Sequence, residues 1–195
     1  MAYLTKSDFK AGQKCPTSLY YAKKRYPSIN DENPYLEFLA DGGYMVETMA
    51  KLLFAEGRSI ARTGDPEVDS AATVQAIESG DCTLFEATVI HGKLLVRVDV
   101  LRRDGNRLHI IEVKASSVHS IDDGADPFRG ARGGIKSDWR EYLEDVAYQT
   151  IVVGRAFPEY QVVPHLYLVD KAKMATANNT SICFVCAVMI TASRA

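Results

Sequence analysis

With 195 residues, 47% of them hydrophobic and 25% charged, the chain has the balance of an ordinary globular domain and lies far from disordered, collagen-like or fibrous compositions. Its 23 Lys and Arg against 25 Asp and Glu leave a net charge of -2, which excludes a histone-like coat of nucleic acid but not an enzyme that grips DNA locally. No apolar run reaches the roughly eighteen residues of a membrane span, and the first residues lack the basic and apolar regions of a signal peptide, so no membrane association and a cytoplasmic location are expected.

One domain over 1–195 is expected: a helical part over about 1–80, a meander and helix over about 83–154, and strands over about 160–190. The first helix is predicted from Ser7 through Cys15-Pro16 to Ala22, ending in Lys23-Lys24-Arg25. A second is predicted over Asp41–Ala55, with Val46, Met49, Ala50 and Leu53 on one stripe and Gly57 as its stop. Asp65-Pro66 caps a third that closes at Gly80 and turns Val68, Ala72 and Ala76 inward. No strand pattern precedes about residue 82.

From Thr83 the period changes to two. Thr83–Ile90, Leu94–Arg102 and Arg107–Lys114 are separated by His91-Gly92-Lys93 and Asp104-Gly105-Asn106, which predicts an antiparallel meander with tight turns. A Gly- and Arg-rich stretch follows to about Asp138, with Gly124–Gly134 as a candidate flap. Next come a helix over Trp139–Gly154 and strands over Val162–Val169 and Ile182–Ile190.

On the third strand Glu112 and Lys114 share a face with Ile110. A two-residue loop at Asp104-Gly105 sets Asp99 opposite Ile110, and one at Gly105-Asn106 sets it opposite Glu112; either way it joins that face. The first hairpin likewise sets Glu86 opposite Arg97 or Asp99. Strict alternation thus collects Glu86, Arg97, Asp99, Glu112 and Lys114 among the apolar Leu95, Leu101, Leu108 and Ile110. A solvated sheet face is the plain alternative, but carboxylates gathered on a covered face need a cation or protons, and oxygen ligands suit a hard divalent ion.

Asp99, followed at a distance by Glu112-Val113-Lys114, resembles the D…(D/E)xK signature of the PD-(D/E)XK nuclease superfamily, with Val98 where the name's proline would stand. Roughly residues 4 to 170 resemble the RecB-like and lambda-exonuclease-like branch: Leu4-Thr5-Lys6-Ser7-Asp8-Phe9, Gly43–Phe54 with Glu47, Phe85–Thr88, Val96–Leu101, Ile111–Ser117 and Glu144–Gln149. The resemblance implies an α/β restriction-endonuclease-like fold, a mixed central sheet flanked by helices. It also implies a deoxyribonuclease dependent on Mg²⁺ or Mn²⁺ and acting on DNA, in the exonuclease mode of its relatives. By resemblance Asp99 and Glu112 bind the metal with the Val113 carbonyl, Lys114 orients or activates water, and Tyr148 and Gln149 support the site. Glu47 falls where such domains carry a further metal ligand, and Glu86 is a possible addition. The alternative is a non-catalytic nuclease-fold module for DNA binding or interaction.

Structural pairings compete for several of these residues. Glu47 and Lys51 stand at helix-pair spacing, Glu86 could pair with Arg97, and Asp145, Gln149 and Glu141 could form a solvated stripe. Lys23, Lys24, Arg25, Arg129, Arg132 and Lys136 are candidate DNA phosphate binders; no aromatic-interleaved stacking platform of the single-strand-binding kind is apparent, although Tyr20, Tyr21 and Tyr26 could serve. Cys15, Cys183 and Cys186 imitate part of an iron–sulfur ligand set, but the fourth ligand is missing and Cys82 is poorly placed, so no cluster is expected. His91, His109, His119 and His165 show no ligand spacing and are read as lone histidines.

Overall fold

The computed structural model describes residues 3–27, 33–119, 128–172 and 187–189. Short local signals start its helices. At α1 (Lys6–Lys14), Thr5 and Asp8 form a reciprocal capping box. The helix does not run on as expected: Cys15, preceding Pro16, is extended, and α2 (Pro16–Lys23) begins afresh. Asn33 caps α3 (Pro34–Leu52) and Pro34 takes its first position, so this helix starts well before the expected Asp41. Asp65 caps α4 (Pro66–Glu78) as predicted.

The inward face of α4 differs from expectation. Asp69, Thr73, Ala76 and Ile77 are buried, whereas Val68 is 52% exposed. Asp69 is drawn inward because Thr63 and the Arg97 guanidinium bond its carboxylate, which rotates the helix past the face its apolar residues suggest.

The meander forms as predicted from β2 (Cys82–His91), β3 (Leu94–Asp104) and β4 (Arg107–Val118). Both connections are two-residue loops opening on a glycine with positive φ, Gly92-Lys93 and Gly105-Asn106. After β4, α5 (Ser137–Ala156) carries the chain back to β5 (Gln161–Asp170), parallel to β4. A two-residue strand, Arg58–Ser59, lies parallel to β2, where no strand was expected, and Ala187–Met189 pairs antiparallel with β5. In chain order these two are β1 and β6, and the mixed α/β sheet runs β1-β2-β3-β4-β5-β6. The rest of the expected last strand, with Cys183 and Cys186, lies outside the described residues, as do residues 120–127, which include the start of the expected Gly124–Gly134 flap.

Two apolar clusters sandwich the sheet. Leu84, Ala87, Val96, Val98, Leu101, Leu108 and Ile110 pack with Ala76 and Ile77 of α4 and with Val146, Val152 and Val153 of α5. Phe85, Val100 and Ile111 pack with Phe54, just past α3. The inward residues therefore change parity on β2 between Leu84 and Ala87, and on β3 between Val98 and Leu101. The change sits at Glu86, which has φ 55, and at Asp99 opposite it; pairing resumes on both sides in the same register. Strict alternation through this level, the basis for placing all the charged residues on one face, does not hold. Leu95 accordingly falls outside both clusters.

Gly57 passes directly over the Phe85 ring, where a Cβ would lie 2.2 Å from Cζ. Gly57→Ala is expected to cost about 1–3 kcal/mol by forcing that buried ring aside, read as a lowered denaturation midpoint.

Candidate functional site

The β3–β4 ladder stops at Val100–Ile111, although both strands continue. Beyond it β4 runs beside β5, while the first half of β3 stays with β2. Into this fork comes the segment before α1: Leu4 bridges to Leu94, taking the Lys93 carbonyl and giving its own to the Leu95 N–H. The Tyr148 hydroxyl donates to the Leu4 carbonyl at 2.7 Å and pins this segment to α5. Phe9 stacks on the Tyr148 ring.

The fork places charged groups together in a covered space. Asp99, half-buried, accepts the Val113 N–H on Oδ2 at 2.8 Å. Glu112 is 2% exposed and engaged on both oxygens. Its Oε1 accepts from Lys6 at 2.6 Å and from Lys114 at 2.5 Å, and its Oε2 accepts from the Gln149 amide. Lys114 also lies 3.3 Å from buried Asp145. Asp145 and Gln149 are thus directed inward from α5, not along a solvated stripe. Lys10 bridges Asp145 and Glu141.

Burial and repulsion from Glu112 lift the Asp99 carboxyl from 3.8 to about 7. Burial also opposes ionisation of Glu112, but Lys6 and Lys114 outweigh it and hold that group below the usual range. Lys114 shows the reverse balance: burial disfavours its charge, yet Glu112, Asp145 and Asp99 push its pKa up, so it is a fixed cation at neutral pH.

Glu47 and Glu86 form a separate cluster. Lys51 bonds both, at 2.7 Å and 2.9 Å. Burial and the adjoining Glu86 carboxyl raise Glu47, while Glu47 and Lys51 hold Glu86 low against its burial. Arg97, the expected partner of Glu86, instead bonds Asp69 at 3.1 Å. Among the described residues no three His, Cys, Asp or Glu side chains converge as a metal-ligand group, so Glu47 does not form one with Asp99 and Glu112.

Of the expected phosphate binders, Lys23 bonds Asp8 and the Tyr3 carbonyl, and Arg129 donates to the Gly133 carbonyl; Lys24, Arg25, Arg132 and Lys136 are exposed. Lys6 was not read from the sequence as a site residue, because its partner lies 106 positions away. Nor are His109 and His165 lone histidines: they form a stacked pair with Nδ1 and Nε2 2.8 Å apart. Cys15 and Cys82 carry free thiols.

No protein-family model matches the chain, and no curated protein or solved structure matches it. None of the helices among the described residues is long and apolar enough to cross a membrane.

Proposed function

We propose that the fork is the active site of a metal-dependent nuclease that hydrolyses phosphodiester bonds of DNA, acting as an exonuclease. The observation that carries this reading is the convergence at the fork of Asp99, held by the Val113 N–H, with buried Glu112, held by Lys114 and Gln149. Three carboxyls, Asp99, Glu112 and Asp145, gather at the fork with Lys6, Lys10 and Lys114 around them. Asp145 Oδ1 and Gln149 Oε1 are buried acceptors without a donor. A divalent ion suits such an oxygen-rich pocket, and Mg²⁺ needs only one or two carboxylates beside water and phosphate oxygens.

Asp99 and Glu112, with the Val113 carbonyl, would hold Mg²⁺ or Mn²⁺, which supplies phosphate-charge stabilisation and a more acidic water. The chain's own residues do the positioning. Gln149 fixes the Glu112 carboxylate, and Tyr148 fixes the strand segment that delivers Lys6. Lys114, kept protonated by its acidic neighbours, orients water and stabilises charge developing on phosphate; it is not a general base. A non-catalytic DNA-binding module is the second reading, favoured by the fact that two ammonium groups already compensate Glu112.

The test is cleavage of end-labelled linear DNA and closed circles with Mg²⁺, Mn²⁺ or EDTA, comparing wild type with Lys114→Ala. Metal-dependent loss of linear DNA alone, reduced at least about 100-fold in the variant, is the expected result. Cutting of circles would make the enzyme an endonuclease. No cleavage and no calorimetric Mn²⁺ binding would leave the non-catalytic module.

A further inference from the structure

Three tyrosines cluster at the end of α2. Tyr20, Tyr21 and Tyr26 are 58%, 48% and 62% exposed, and their rings meet edge to face at 5.5 Å and 5.1 Å. Lys24 lies over the Tyr20 ring at 5.9 Å, and Arg25 turns the chain with φ 58, which brings Tyr26 back against Tyr21. Neither Lys24 nor Arg25 pairs with a carboxylate among the described residues.

Two features identify the matching partner. Tyrosines about half exposed, with adjoining cations that have no carboxylate partner among the described residues, offer π-faces to bases and positive charge to phosphates, a combination suited to single-stranded nucleic acid. Duplex DNA keeps its base faces stacked inside and would meet the cations alone. Since the chain as a whole is acidic, with a net charge of -2, the attraction is local and marks this patch.

The cluster is also tied to the fork. Lys23, between its tyrosines in sequence, reaches back to Asp8 at 2.5 Å and to the Tyr3 carbonyl, so the end of α2 lies against the start of α1. Lys6, in that same first turn, bonds Glu112. The tyrosines and the fork are thus joined through a single helical turn, the first of α1.

We infer that Tyr20, Tyr21 and Tyr26, with Lys24 and Arg25, form a stacking platform that holds the bases of a single strand leading to the fork. As a statement about substrate class it rests on the nuclease reading; as a binding site it is measurable without cleavage.

The experiment is fluorescence anisotropy in EDTA with a labelled oligothymidylate and a blunt duplex of equal length, on the full chain. Wild type is expected to prefer the single strand. Tyr20→Ala with Tyr26→Ala should weaken that binding about tenfold or more per ring, while Tyr20→Phe with Tyr26→Phe retains it. Lys24→Ala with Arg25→Ala should flatten the salt dependence of single-strand binding by a log–log slope of about 1.4. Unchanged binding in the alanine pair, equal losses for single strand and duplex, or light scattering showing a dimer that the alanine pair dissociates would each overturn the platform. Because EDTA removes cleavage from the assay, a failed nuclease reading leaves the binding result standing, and a failed platform leaves metal-dependent cleavage standing.

Discussion

Asp99→Asn is expected to abolish metal-dependent cleavage and, at the same time, to make the metal-free protein more stable at pH 8. Burial and Glu112 lift the folded-state pKa of Asp99 from 3.8 to about 7, so between those values the folded chain keeps a proton that the unfolded chain has released. Stability therefore falls as pH rises across that window, and above it the fold carries the full cost of the buried charge. A shift of about three units sets an upper limit of about 4 kcal/mol. Asparagine removes the charge and can still accept the Val113 N–H, so the gain should be about 1–4 kcal/mol at pH 8 and shrink toward pH 4. Urea denaturation in EDTA at pH 5 and pH 8 reads the difference. Added Mg²⁺ should then stabilise wild type at pH 8 but not the variant. A variant no more stable than wild type at pH 8 would show that Asp99 pays no such cost.

Glu112→Gln is expected to be the costliest single change at the fork, at about 3–5 kcal/mol. Both carboxylate oxygens accept hydrogen bonds, from two ammonium groups and one amide, and a glutamine would turn an NH₂ toward one of those donors. Lys114 would keep Asp145, 3.3 Å away, whereas Lys6 would lose its one ion pair among the described residues. Gln149→Leu, which removes a single hydrogen bond, should cost about 1–3 kcal/mol. Adding Lys6→Met to Glu112→Gln should restore part of the loss, because the stranded charge is removed with it. Denaturant midpoints of the two single variants and the double variant form the cycle; an additive double variant would mean that Lys6 and Glu112 are energetically independent.

What the sequence makes legible follows from how far each signal reaches along the chain. The two hairpin turns announce themselves through Gly92 and Gly105, and the second fixes the register that brings Asp99 level with Glu112. Asp65-Pro66 is equally local and marks α4 without help. Asn33-Pro34 is the same kind of start, overlooked because the apolar stripe becomes regular only further on. Other features have no local sign. A glutamate with φ 55 looks like any strand residue, so the change of face at Glu86 and Asp99 is invisible to counting by twos. Lys6 meets Glu112 across 106 residues and His109 meets His165 across 56, and only the folded sheet makes neighbours of them. The inward turn of Asp69 depends on a guanidinium from another strand.

The paired kink also constrains how this hairpin can change over generations. Each strand carries its irregular residue at the same level, and the register is the same above and below. Losing Glu86 alone would throw the partners of β2 out of step by one residue. Losing Glu86 and Asp99 together would restore a ladder of equal lengths and strict alternation, with the Leu84–Leu101 and Ala87–Val98 levels both still facing the helices, but would take the Asp99 carboxyl out of the fork. The two strands are therefore bound to a shared length, and drift by insertion or deletion is channelled into the turns and the segments outside the sheet.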